Sequence, residues 1–375
     1  MKFSVSSSEL LSGLMSVSKV IVPKPTNSIL ENFLFQLEGN TLTVTASDGE
    51  TTLKTTISIA QVQEEGSTAV PAKLLTDSLK EFPDQPLAFS VDGGSSVMDI
   101  VWASGASKIP CFEAADFPAL PAIGQISESV VIPSATLLDG IGSTIYATAE
   151  EELRPVMNGI FFDIDPEVTT LVASDAHKLI CYSFTDGKPT QKSNFILHKK
   201  PASILKSVLA RFDDEVTIRY DNKNAYFSFG DSILVCRLIE GNYPAWRSVI
   251  PRGNSNRMVI GRADLLGVVK RIAVCSNQVS NQIRLKLSQN EVLISAQDLG
   301  FSMSAHETLP CQYDGQEMEI GFKAPFLLEI LGNLPYQNIC MQLADPARAA
   351  LIVPADESRP GQDIRALLMP VMINA

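Results

Sequence analysis

Apolar and polar positions along the chain follow one pattern three times, and such self-similarity is the first thing to look for in a long sequence. Phe3-Ser4-Val5 leads into Glu9-Leu10-Leu11-Ser12-Gly13-Leu14, Val131-Ile132-Pro133 into Thr136-Leu137-Leu138-Asp139-Gly140-Ile141, and Met258-Val259-Ile260 into Asp264-Leu265-Leu266-Gly267-Val268-Val269. The three openings are offset by 128 and 127 positions. Each predicts a short strand, a polar cap and a helix with Leu-Leu on its apolar face. Alternating segments follow: Asn32–Leu37 with Thr41–Val44, Asn158–Phe162 with Thr170–Ala173, and Ile283–Leu287 with Val292–Ser295. A period of two, bounded by turn residues, predicts antiparallel hairpins with one buried face. The second strand of each pair runs into an acidic turn, Ser47-Asp48-Gly49, Ser174-Asp175-Ala176 and Gln297-Asp298-Leu299, where Asp is expected to cap its own turn.

Each third then repeats the strand-helix unit within itself: Thr68–Pro71 into Lys73–Leu79, Phe195–Leu197 into Ser203–Leu209, and Met318–Phe322 into Phe326–Leu331. The helical stretches are expected at 8–22, 72–82, 134–149, 199–211, 261–275 and 323–334. A chain of 375 residues exceeds the reach of one hydrophobic core. The repeat places domains at 1–125, 126–252 and 253–375, with Phe117-Pro118-Ala119-Leu120-Pro121 and Pro251-Arg252-Gly253-Asn254 as linkers. The class is α+β, each domain having two helices and two antiparallel sheets. Open sheet edges invite pairing, so sheets should continue across the boundaries. Two chains arranged head to tail could close such an array into a ring.

Composition narrows the function. The chain is 45% hydrophobic and 19% charged, ordinary values for a globular protein. No run nears the roughly 18 apolar residues of a membrane span, and Lys2-Phe3-Ser4-Val5-Ser6-Ser7-Ser8 lacks a signal-peptide core, so a cytoplasmic protein with no membrane partner is expected. The cysteines Cys111, Cys181, Cys236, Cys275, Cys311 and Cys340 lie far apart, with no Cys-x-x-Cys and no His at ligand spacing. Neither a zinc site nor a disulfide framework is expected. A net charge of −12 argues against DNA binding by general phosphate neutralisation. The predicted helices nevertheless carry 11 Lys and Arg against 6 Asp and Glu, with Lys199, Lys200, Lys206 and Arg211 in one stretch and Arg262, Lys270 and Arg271 in another. A basic helical layer in an acidic chain suits a surface facing phosphates, or simply a solvated one.

An enzyme would draw on Asp163 with Asp165, or on His177 with Asp175, but no nucleophile elbow, phosphate-binding glycine loop or metal spacing accompanies them. A repeat scaffold that binds proteins and no DNA would also fit the net charge.

Over essentially its whole length the chain resembles the bacterial sliding clamp, the beta subunit of DNA polymerase III. The likeness is carried by Met1-Lys2-Phe3 with Leu10-Leu11, Pro25-Thr26 before Ile29-Leu30-Glu31-Asn32, Val70-Pro71-Ala72-Lys73, Ala114-Ala115-Asp116-Phe117-Pro118, Ser174-Asp175-Ala176-His177-Lys178-Leu179, Gly241-Asn242-Tyr243-Pro244, Met318-Glu319-Ile320-Gly321-Phe322 and Leu367-Leu368-Met369-Pro370-Val371. It implies a DNA clamp fold of three repeated domains that closes as a head-to-tail homodimer ring, helices lining the hole. It also implies a processivity factor without catalysis or cofactor, loaded by a clamp loader, sliding on duplex DNA without sequence preference and tethering the polymerase III alpha subunit and other polymerases and repair proteins that carry a clamp-binding motif. Carried over by position, the partner-peptide pocket between the second and third domains comprises Met157, Ser174, Ala176, His177, Lys178, Leu179, Pro244, Val249, Phe326, Leu367, Leu368, Met369, Pro370 and Val371. The DNA-facing residues are Lys24, Lys73, Arg154, Lys199, Lys200 and Lys206, and the dimer contacts Ile109, Val274 and Cys275. Ala176 and Lys178 stand where the family commonly has Gly and Arg, the tail Val371-Met372-Ile373-Asn374-Ala375 departs from the usual ending, and Glu150-Glu151-Glu152 is unexpectedly acidic beside Arg154.

Overall fold

The computed structural model describes residues 1–92, 96–119, 128–151, 153–187, 189, 191–355 and 359–373. The expected join at 125/126, the linker residues Leu120 and Pro121, and Glu152, Asn374 and Ala375 lie outside them.

Seven helices form among the described residues: α1 (Ser7–Val17), α2 (Ala72–Lys80), α3 (Ser134–Thr144), α4 (Lys199–Leu209), α5 (Trp246–Val249), α6 (Arg262–Ala273) and α7 (Ala324–Asn333). In each opening helix the first leucine of the pair, Leu10, Leu137 or Leu265, is fully buried, and its neighbour is half-buried. Two helices stop short of the expected ends, where hydroxyls take over main-chain partners. The Ser18 hydroxyl donates to the Met15 carbonyl at 3.0 Å and α1 gives way to a 3-10 turn at Ser18–Val20. The Thr144 hydroxyl donates to the Gly140 carbonyl at 2.7 Å and α3 gives way to a 3-10 turn at Ile145–Ala147.

Two compact units result, residues 1–135 with 204–238 and residues 136–203 with 239–375. They divide the middle third of the chain because its strands pair with both neighbours. In the first unit a five-stranded sheet ends at the edge strand Gly105–Pro110. An eight-stranded sheet there joins Thr51–Ser58 antiparallel to Ser232–Arg237, with Leu53 opposite Leu234. In the second unit a four-stranded sheet runs from Met303–Pro310 at one edge to Met318–Lys323 at the other. A nine-stranded sheet joins Lys178–Phe184 antiparallel to Gln362–Leu368, with Leu179 opposite Leu367. The sheets thus continue across the expected domain boundaries, which removes edges that would otherwise be open.

Candidate functional site

Most of the residues expected to hold a partner peptide gather at the second of these seams, within one compact unit. Several belong to the turn between the strands Thr169–Ser174 and Lys178–Phe184. Asp175 Oδ1 accepts from the amides of His177 and Lys178, each at 2.9 Å, the Ser174 hydroxyl donates to the Lys178 carbonyl at 2.9 Å, and the Ala176 amide donates to Ser174 Oγ at 3.2 Å. The turn needs positive φ at its third position, and Ala176 adopts +73°, a region that disfavours any side chain. The pairing of Asp175 with backbone amides gives it a structural role, as the sequence leads one to expect.

This turn presents His177 and Lys178 to α7. The His177 ring stacks on Phe326 at 5.1 Å between centroids. Lys178, with its side chain only 4% exposed, reaches Asp175 Oδ2 at 2.6 Å and Glu329 Oε2 at 2.8 Å, and its ammonium lies 4.7 Å from the Phe326 ring centre. A cation this buried is tolerable because two carboxylates and an aromatic face surround it. Past the turn, Leu179 and Leu367 form a buried cluster with Val172, Cys181 and Trp246, against which Phe161, Tyr243 and Ile250 pack. Burial drives the Cys181 thiol up to about 12, so it stays protonated and apolar. Leu368 is buried between Lys178 and Ala350 in register. The Met369 amide donates to the His177 carbonyl at 2.9 Å, and the Met369 side chain is 43% exposed.

Of the positions expected in the groove, Ser174, Ala176, His177, Lys178, Leu179, Phe326, Leu367, Leu368 and Met369 are joined by these contacts. Pro244 and Val249 flank Trp246 on the segment that enters and forms α5, where Val249 is 54% exposed. Pro370 leads to Val371, whose amide donates to the Gly321 carbonyl at 2.9 Å. Met157 is buried in the 3-10 turn Pro155–Met157. The expected pocket set leaves out Trp246, Tyr243, Glu329 and Gly321, of which Tyr243 and Gly321 stand only in the motifs that carry the resemblance. Tyr243 and Trp246 could have been found, since the Gly-Asn-Tyr-Pro motif includes one and stops two residues short of the other. Glu329 carried no local signal, because its relevance comes from its pairing with Lys178, distant in the chain.

Asp163, raised above as an acid-base candidate, accepts from Trp246 Nε1 at 3.1 Å and pairs with Arg247, while Asp165 pairs with Lys192 at 2.7 Å. Both carboxylates are occupied in holding their surroundings. Among the described residues no group of three His, Cys, Asp or Glu could hold a metal ion, and no helix is long and apolar enough to cross a membrane. A groove of 1660 Å³ lies in the first unit between the end of α1 and α2 and includes Lys73, Leu74 and Phe112. It brings none of the expected groove residues together.

The basic helical layer is less free than the sequence counts imply. Arg262 donates to the carbonyls of Tyr336 at 2.8 Å and Leu331 at 2.7 Å, finishing the end of α7, and Arg271 grips Glu307 with two bonds of 3.0 and 2.6 Å. Lys199 is bonded to Glu150, and Arg154 to Glu151 at 2.9 Å. The hydrogen bond from Lys199 and its charge hold the Glu150 carboxyl below its ordinary range. The acidic loop beside Arg154 therefore has a physical account: it ties down two of the expected DNA-facing cations. Lys24, Lys73 and Lys206 are exposed and Lys200 is half-buried. Ile109, expected at a dimer contact, is only 5% exposed, so its edge strand offers main-chain groups more than that side chain, whereas Val274 is 76% exposed just past α6. Cys275 is half-buried.

A triplicated α+β chain whose second seam gathers apolar side chains from separate segments has the architecture of a repeat-built clamp. Models of the DNA polymerase III beta subunit match its N-terminal domain at residues 1–121, its central domain at 131–245 and its C-terminal domain at 247–372. The beta sliding clamp of Escherichia coli strain K12 is 29% identical over 376 residues, and that of Synechococcus elongatus 27% over 387, each covering the whole of both chains. The crystal structure of the Pseudomonas aeruginosa sliding clamp bound to griselimycin superposes with a TM-score of 0.94 at 27% identity, again over the whole of both chains. The chain belongs to the DNA polymerase III beta subunit family. It has the three-domain clamp fold and the function of a DNA sliding clamp, a processivity factor that carries out no catalysis.

Proposed function

We propose that the seam groove is where partners of this clamp dock, as an extended peptide rich in Gln, Leu and Phe. The observation that carries this reading is the convergence of Leu179, Leu367 and Trp246 in one cluster with the exposed Met369 and the His177–Phe326 stack at its rim. Apolar walls with a few fixed polar groups suit an adaptable peptide, and a flexible thioether at the rim can repack around different side chains. The occupants are the polymerase III alpha subunit, the clamp loader, and other polymerases and repair proteins that carry the same motif.

On this reading the domains are 1–125, 126–252 and 253–375, and two chains close head to tail around duplex DNA. The edge strands Gly105–Pro110 and Met303–Pro310 supply main-chain pairing at the joint, with Val274 and Cys275 beside them. Val274→Asp should reduce the light-scattering mass at micromolar concentration from two chains to one, and an unaltered mass would exclude this joint. Lys24, Lys73, Lys200 and Lys206 face the DNA. Lys199 and Arg154 contribute less than Lys24, Lys73 and Lys206, because their charges are paired with Glu150 and Glu151. Contact with DNA is then weak and salt-sensitive, and retention is topological. Clamp loaded on nicked circular DNA should stay bound through gel filtration and be lost when the circle is cut. Retention that ignores cutting would replace encirclement with direct binding, and no retention at all would favour a protein scaffold.

A further inference from the structure

Past Met369 the chain leaves its strand and lies along the edge strand Met318–Lys323 of the four-stranded sheet. The Val371 amide donates to the Gly321 carbonyl at 2.9 Å, and Gln282 Nε2 donates to the Met372 carbonyl at 3.1 Å. On the other side, the Met369 amide donates to the His177 carbonyl at 2.9 Å. Met369 and Pro370 are thus strung between two anchors, one on the Asp175 turn and one on the four-stranded sheet. Backbone conformation does not explain the glycine at 321, which is absent from the positive-φ positions. Space does. A Cβ there would stand 2.8 Å from the Val371 carbonyl oxygen, 2.8 Å from Gln282 Nε2 and 3.1 Å from Ile373 Cγ1. Its three nearest neighbours are therefore the tail and the side chain that holds the tail. Gln282 could swing aside, but the Val371 oxygen is main chain and would have to move with the tail.

We propose that Gly321, together with Gln282, is a positioning residue for the groove: the gap it leaves lets residues 371–373 dock, and that docking fixes Met369 and Pro370 as a rigid wall for the apolar partner peptide. The inference rests on the groove being the partner site. Chain ends fray unless something holds them, and a wall ordered in advance spares the peptide the entropy of ordering it on binding. Gly321→Ala should weaken binding of a fluorescein-labelled peptide rich in Gln, Leu and Phe about five- to tenfold by fluorescence anisotropy, the scale of ordering one or two residues. Amide hydrogen exchange in residues 371–373 should quicken while circular dichroism stays unchanged. In a chain lacking residues 371–375, itself a weaker binder, Gly321→Ala should change nothing further, because the tail through which it acts is gone. Unaltered affinity in the full chain, or an equal loss with and without the tail, would overturn the proposal. If Met369→Glu binds the peptide as tightly as the unaltered chain, the groove reading itself fails and takes this inference with it.

Discussion

The turn Ser47–Thr51 and the turn Ser174–Lys178 are built by the same bonds, yet only the second lies among the residues proposed to bind a partner peptide. In the first, Asp48 Oδ1 accepts from the amides of Glu50 at 2.9 Å and Thr51 at 2.6 Å, the Ser47 hydroxyl donates to the Thr51 carbonyl at 3.3 Å, and the Gly49 amide donates to Ser47 Oγ at 3.1 Å. In the second, Ser174, Asp175, Ala176, His177 and Lys178 take the same places. Even the crossing to the neighbouring third matches: the Arg237 amide donates to the Glu50 carbonyl at 3.0 Å as the Met369 amide does to His177. What differs is side-chain chemistry. Glu50, Thr51 and Arg237 at the first seam become His177, Lys178 and Met369 at the second. The repeat supplies a rigid frame in both places, and the two seams differ in the groups displayed on it.

The widest test of that contrast is to put charge on the matching wall positions. Met369→Glu should weaken peptide binding about 100-fold, the ~3 kcal/mol of placing a carboxylate against apolar walls, whereas Arg237→Glu should leave it unaltered. Anisotropy titration of both variants checks this, and a loss at Arg237 would mean that the first seam is a site too.

Removing the fifth turn residue should separate the seams by stability. Lys178→Ala removes the buried cation between Asp175 and Glu329 and should cost about 2–3 kcal/mol in urea unfolding, less than for a fully buried pair because Asp175 keeps its two amide bonds and Glu329 its water. Thr51→Ala removes no charge and should cost about 1 kcal/mol. Equal costs would show that the Lys178 cluster adds nothing to the shared turn.

A smaller effect comes from the third turn position. Gly49 has φ +95° with no atom within 4 Å of where a Cβ would be, whereas Ala176 holds φ +73° with its side chain in place. Ala176→Gly should raise stability and Gly49→Ala lower it, each by about 1 kcal/mol, since positive φ penalises a side chain by that order. Paired thermal melts would settle the signs.

The smallest effect concerns the acidic loop. Neutralising Glu150 and Glu151 to Gln frees Lys199 and Arg154 and should move release from duplex DNA to higher salt without altering the fold. The Glu150 carboxyl is held below its ordinary range, so its pair with Lys199 is intact at neutral pH and is lost only as pH falls through that lowered value. Salt release unchanged by the double substitution would mean that these cations do not face the DNA.

Much of this protein was legible in the chain alone. The threefold strand-helix pattern, the apolar Leu-Leu face of each opening helix, the Asp-capped turns and the antiparallel hairpins follow from local periodicity and turn chemistry, which act over a few residues. Resemblance likewise named Ser174, His177, Lys178, Leu179 and Leu367, which the structure brings into contact at one seam. What tertiary structure decided is which groups meet. Arg262 and Arg271 count as basic helix residues in the sequence, but they are bound to carbonyls of the neighbouring helix end and to Glu307. Lys178 can be buried because Glu329, on α7 and 151 positions along the chain, pairs with it. Gly321 gives no sign in sequence that its missing side chain makes room for residues 371–373. Such pairings depend on register and seam geometry over long separations, and a composition or a period carries no record of them.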